Sequence, residues 1–286
     1  MDTMDLPLTD PRCNSDACLA YAAAAEASQA QISWLSQFAY GEWFTYYYIV
    51  ITFLFACVYG ARRWKHRKAR PAPPTPSIVH KSTALFRLFT YRRWHSRFLA
   101  LPSFGMIAFG LFNLTFITAL SFGQRPYYRD HRGYGAPPLA VRAGLIAVAL
   151  TPIIVALSGK FNIITMLTGI SYERLNRIHQ WAAWLCLYMS ILHTVPFIVA
   201  PLRDGGAAAL YKQWYEPRSD EYDGTAAFAV LVFLVLFSNG YVRKVAYEAF
   251  AWSHYAAFIA YLGAIFWHGK SQVQTLRALC TDAASF

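Results

Sequence analysis

The chain has 286 residues, 56% hydrophobic, 17% aromatic and only 14% charged, with a mean hydropathy of +0.28 and a formal net charge of +11. Soluble domains carry about 25% charged residues, so this chain lacks the groups to face water all round. An ordinary soluble domain is excluded, and the placement of the positive charge argues against a nucleic-acid binder.

Residues 1–42 read as an extracytoplasmic tail containing Cys13 and Cys18. These two could close a small disulfide loop in an oxidising compartment or remain free thiols. The opening MDTMDLPLTD is acidic where a cleavable signal would be basic. The first apolar span is therefore expected to act as an uncleaved anchor that exports the tail.

Apolar stretches follow at 43–61, 98–121, 139–157, 179–199, 225–241 and 250–268. Each approaches the roughly 20 residues a helix needs to cross a bilayer core. They predict an all-α, polytopic transmembrane helix bundle of about six spans. The third carries Arg142 and Pro152, which weaken its pattern. Residues 43–122 would form two spans and the loop between them, 139–268 a core, and 269–286 a short tail.

Between residues 62 and 97 stand eleven Lys or Arg and no Asp or Glu. The runs RRWKHRKAR and YRRWHSR abut the first two spans, on either side of a proline-rich connector at 71–78. Loops rich in base stay cytoplasmic, so the N-terminus is expected outside. The same charge suits anionic lipid, and no nucleic-acid partner is expected. Residues 122–138 and 200–224 then read as external loops.

Two histidine pairs share one spacing. His179 and His193 are 14 residues apart in the fourth span, and His254 and His268 are 14 apart in the sixth. Fourteen helical residues rise about 21 Å and turn about 1400°, roughly 40° short of four turns. Each pair therefore lies on nearly one face, one histidine towards each membrane edge. With alternating loops both spans run the same way, which sets His179 level with His254 and His193 level with His268. Ionisable side chains within spans generally mark function. Ligands about 21 Å apart cannot share one zinc ion, which also wants four of them. Two axial imidazoles at each level instead suit a six-coordinate haem iron. Trp181, Trp184, Tyr188, Tyr255, Phe258, Tyr261, Phe266 and Trp267 could line haem faces or simply face lipid. Arg174, Arg177, Arg243 and Lys244 could pair with haem propionates or serve as positive-inside anchors. The remaining histidines, His66, His80, His95 and His131, read as solvated.

The stretch LSGKFNIITMLTGISYERLNRIHQWAAWLCLYMSILHTVPF (157–197) resembles the haem-binding core of fungal ferric-chelate reductases, in the superfamily shared with NADPH oxidases. YVRKVAYEAFAWSHYAAFIAYLGAIFWH (241–268) resembles their second histidine helix, and CNSDACLAYAAAAEASQAQISWL (13–35) their exported tail. The resemblance implies two haem b groups, the inner held by His179 and His254 and the outer by His193 and His268. It implies electrons passing from cytosolic NADPH through FAD and the haems to Fe(III), Cu(II) or their chelates outside, across the plasma membrane. The stretch GKSQVQTLRALCTDAASF after His268 holds no phosphate-cradling glycine motif. A separate cytosolic donor is therefore expected for this chain. Two other readings remain open: a proton or metal-ion transporter using the intramembrane histidines, and an inactive or regulatory truncated reductase.

Overall fold

The computed structural model describes residues 15–68, 78–92, 103–216 and 219–270, and among these every regular element is helical. In chain order the helices are α1 (Asp16–Gln31), α2 (Phe38–Arg67), α3 (Ile78–Tyr91), α4 (Phe104–Phe122) and α5 (Pro138–Ser158). They continue with α6 (Ile163–Thr168), α7 (Tyr172–Tyr215), α8 (Asp220–Phe237), α9 (Gly240–Val245) and α10 (Tyr247–His268). The polytopic all-α bundle is thus the observed architecture.

Among the described residues five stretches are long and apolar enough to cross a membrane: Asp16–Arg67, Phe104–Phe122, Pro138–Ser158, Tyr172–Tyr215 and Tyr247–His268. The remaining expected span, at 225–241, is occupied by α8, which starts with Asp220, Glu221 and Asp223 and stops at Phe237. Its three first-turn acids favour the positive end of the helix dipole but shorten the apolar part. The expected single external loop at 200–224 is corrected. Helix α7 runs on to Tyr215, with a break at Gly205 and Gly206, the latter at φ 64. Helices α1, α3 and α6 were not foreseen either.

The chain divides into two compact units. One comprises Ala39–Arg125 and Ala149–Leu185. There α2 and α4 meet where the Tyr47 hydroxyl donates to Asn113 Oδ1 at 3.2 Å, while Asn113 Nδ2 donates to the Phe109 carbonyl at 2.8 Å. Gly110 lets the Trp181 indole lie on the α4 backbone, where a Cβ would come within 2.7 Å of the ring.

The other unit comprises Met1–Phe38, Pro126–Val148 and Cys186–Phe286. Arg142, predicted to weaken the third span, is 1% exposed within an unbroken α5. Its guanidinium donates to the carbonyls of Pro138 and Pro126, both at 3.1 Å. A buried charge is tolerated only with such partners. Helix α1 docks on the 3-10 turn Arg132–Tyr134: Tyr21 hydrogen-bonds His131 at 3.1 Å and Gln29 donates to the Tyr134 carbonyl at 3.3 Å. Arg129 donates to the last-turn carbonyls Ser28 at 2.6 Å and Ile32 at 3.2 Å, closing the C-terminal end of α1. His131 is therefore a packed, hydrogen-bonded residue and not a solvated one. Cys18 is disulfide-bonded, with its partner outside the described residues, whereas Cys57 and Cys186 are free. His95 and most of the 71–78 connector also lie outside the described residues.

Candidate functional site

Helix α7 meets α5 at a seven-residue step. The His193 ring donates from Nδ1 to the Ala140 carbonyl at 2.8 Å, and Cys186 Sγ donates to the Ala147 carbonyl at 3.6 Å. In the other unit, His179 Nδ1 donates to the Ile154 carbonyl at 2.8 Å. Going up α7 by seven goes down α5 by seven, so the two helices are antiparallel. Seven residues per two turns is the left-handed coiled-coil period, which absorbs about 20° of drift per heptad. The roughly 40° by which 14 residues miss four turns is removed by that supercoiling, and both histidines come to face α5.

Helix α10 is backed in the same way by α8. Ser238 Oγ lies 3.1 Å from His254 Nδ1, and 14 residues earlier Gly224 lies against His268. Steps of 14 in opposite directions make this pair antiparallel too, folded about the short α9 and Ala246. The Ser238 hydroxyl spends its proton on the Leu234 carbonyl, so it accepts from Nδ1–H of His254.

Helices α7 and α10 run together. Cys186 Sγ is 3.7 Å from the Tyr261 hydroxyl, and seven residues on the rings of His193 and His268 stand 6.1 Å apart with planes crossed at 79°. Both partners advance by seven, so this part of α7 is parallel to α10. The expected co-directional running and the pairing of His193 with His268 are what the structure shows in this unit. His179 and His254 belong to different units, each held by its own backing helix.

A carbonyl can only accept, so Nδ1 carries the proton in His179 and His193, as it does in His254 for the reason above. In His179 and His193 that leaves the lone pair on Nε2, the tautomer a metal-bound imidazole needs. Two imidazoles bound on opposite sides of one ion through bonds of about 2.0 Å would set their ring centres about 6–6.5 Å apart. The 6.1 Å between His193 and His268 matches that arrangement. Among the described residues no three His, Cys, Asp or Glu side chains gather to hold an ion by themselves. The donor set fits a macrocycle-bound iron with two axial imidazoles. His268 differs from the other three, because its buried Nδ1 has no hydrogen-bond partner.

Glycine makes the close approach possible. A Cβ on Gly144 would meet His193 Nδ1 at 2.6 Å, and one on Gly224 would meet His268 Cε1 at 3.0 Å. Of the four expected propionate partners, Arg174, Arg177 and Lys244 are exposed, and Arg174 stacks over Tyr91 at 5.5 Å. Arg243 is half-buried, and its Nε is buried without an acceptor, as a propionate-binding residue would be. Among the aromatics, Trp184, Tyr255, Phe266 and Trp267 are exposed, whereas Tyr261 is buried against Cys186. The residues that sequence reasoning missed are Ala140, Gly144, Ile154, Ser238 and Gly224. Both Ala140 with Ile154 and Gly224 with Ser238 mirror the histidines' own spacing of 14 on the preceding helix, but only Ser238 carries a polar side chain that could have been noticed.

Antiparallel backing helices and co-directional histidine helices define a polytopic helical membrane bundle. Residues 143–265 match the family described as ferric reductase like transmembrane component, and the chain carries that domain. It is 43% identical over 202 residues to the probable cell surface ferric reductase kap2 of Aspergillus oryzae, covering 70% of this chain and 27% of that protein. It is 33% identical over 268 residues to the ferric/cupric reductase transmembrane component 7 of Saccharomyces cerevisiae, covering 87% of this chain and 42% of that one. The chain thus spans less than half the length of these relatives. No solved structure matches it.

Proposed function

We propose that the chain conducts electrons across the plasma membrane, its N-terminus outside, through two haem b groups each held by a histidine couple. His193 and His268 would hold the outer group, and His179 and His254 the inner. The observation that carries this is the 6.1 Å couple on parallel helices, with Cys186 and Tyr261 repeating its register one heptad earlier. The second couple is proposed on the shared sequence spacing of 14, which sets His179 before His193 and His254 before His268. Two levels about 21 Å apart would divide the bilayer into short electron steps.

A haem held there by these histidines would supply one-electron chemistry. The chain's own residues do the rest. The Ala140, Ile154 and Ser238 acceptors fix the tautomers and raise imidazole basicity. Gly144 and Gly224 set how deep the rings sit, and Arg243 would neutralise a propionate. The acceptor outside would be Fe(III), Cu(II) or a chelate of either, in keeping with the relatives' names. The donor inside would be a cytosolic unit using FAD and NADPH. The physical role of the protein is to position the cofactors and exclude water.

Haem-replete expression and a reduced-minus-oxidised spectrum test this directly. Two haems per chain are expected. His193→Ala or His268→Ala should remove one, and His179→Ala or His254→Ala the other, while His131→Ala leaves both. A colourless protein, as a transporter would be, or two haems surviving any of the four substitutions, refutes the assignment.

A further inference from the structure

Helix α3 plays no part in the histidine couples, yet its composition is unusual. Over Ile78–Tyr91 it contains no acid, and it stands in the acid-free interval 62–97 with its eleven Lys or Arg. At 100° per residue, Ile78, Leu85, Phe86 and Phe89 fall on one side, with Thr83, Arg87 and Thr90 opposite. The apolar side is not packed: Ile78 is 85% exposed, Phe86 70%, Phe89 61% and Leu85 57%.

The C-terminal end of α3 is tied to a membrane span, and its N-terminal end follows the basic end of another in the chain. The helix before it, α2, ends in Lys65, His66 and Arg67, with the exposed Trp64 one turn inside and Lys68 over its ring at 4.2 Å. Exposed tryptophan beside a basic turn marks a membrane–water boundary. After it, the Phe104 N–H at the start of α4 donates to the Arg92 carbonyl at 3.1 Å, and Thr90 packs on Gly105. Helix α3 is thereby held at the level where one span ends and the next begins.

We propose that α3 is an interfacial helix whose apolar side enters the acyl boundary and whose cations bind anionic phospholipid. The pattern is that of helices lying in the bilayer plane, apolar below and basic at the rim. A membrane is favoured over a protein partner because α3 is fastened by its C-terminal end to the start of one span and follows in the chain the basic, tryptophan-flanked end of another. Its charge is also of one sign, complementary to an anionic leaflet. The couplings to α4 and of Tyr91 to Arg174 would pass lipid occupancy to the start of α7, the helix of His179 and His193. None of this rests on the haem reading.

The test uses the whole chain in nanodiscs of phosphatidylcholine alone or with 30% phosphatidylserine, reading amide exchange over 78–91. Lys81 and Arg87, near an anionic surface, should together slow exchange about 30-fold on adding phosphatidylserine. Raising the salt concentration on the unmodified chain should erase most of that difference. Lys81→Glu with Arg87→Glu should abolish it, and Leu85→Glu with Phe89→Glu should remove protection in both discs. Unchanged exchange within α4 shows that a variant still folds; if α4 changes, the salt titration decides. Equal exchange in the two discs, insensitivity to salt, or protection appearing only when a soluble protein is added overturns the proposal.

Discussion

Gly144→Ala tests the histidine geometry at its tightest point. The new Cβ would lie 2.6 Å from His193 Nδ1 and 2.9 Å from Cε1, where ordinary contact begins at 3.4 Å. The imidazole must retreat from α5 by about 0.8 Å. Its bond to the Ala140 carbonyl, now 2.8 Å, would then exceed about 3.5 Å and cease to be a hydrogen bond. Losing that bond costs about 1 kcal/mol, and overpacking about 1–3 kcal/mol more. Loss of an outer-shell partner typically weakens a metal site about 10–100-fold. One haem of two should therefore be depleted or shifted in its spectrum, the one that His193→Ala removes. Gly263→Ala, where nothing lies within 4 Å of the new methyl, is the matched control and should change nothing. Full occupancy with an unshifted spectrum in Gly144→Ala would refute the reasoning, since a displaced ring cannot ligate as before.

Ser238→Ala removes the acceptor for His254 Nδ1 and should weaken the other haem by a similar 10–100-fold in a haem-transfer assay, leaving its partner intact. Arg129→Ala strips the C-terminal end of α1 of a charged donor worth about 3 kcal/mol, so amides near Gln31 should exchange about 100-fold faster. Asp204, with a side chain 7% exposed, takes hydrogen bonds from Arg203 at 2.6 Å and from the Arg132 N–H at 2.6 Å. Hydrogen bonding to Arg203 holds its carboxyl below the usual carboxylate range. A depressed folded pKa contributes stability above the unfolded value and loses it as pH falls through the folded one. Proteolysis around 129–132 should therefore rise only in strong acid, and Asp204→Asn should be equally labile at neutral and acid pH.

Much of the core was legible because hydropathy and spacing are one-dimensional. Spans appear as apolar length, and a ligand couple appears as a repeat of 14 on two helices. The bounds were less legible. Helical structure resumes after the break at Gly205 and Gly206 and runs to Tyr215, because a helix does not require a greasy run. Helix α3 was hidden inside a basic stretch whose charge drew attention away from its apolar side. His131 read as a loop residue, yet its partner Tyr21 is 110 positions away. Cys186 marks the register between α5, α7 and α10 through contacts 39 and 75 positions away.

The amino-acid order by itself determined which segments must leave water and which face of each helix carries the histidines, since both follow from residue type and helical period. It could not determine what grips those histidines from behind. Ala140 and Ile154 contribute backbone carbonyls, a group every residue owns, and only the antiparallel packing of α5 on α7 selects which one meets a ring, as the packing of α8 on α10 brings the Ser238 hydroxyl to His254. The tertiary structure likewise decided that Gly144 and Gly224 matter, because the absence of a side chain has consequences only where another helix comes close enough to fill the space.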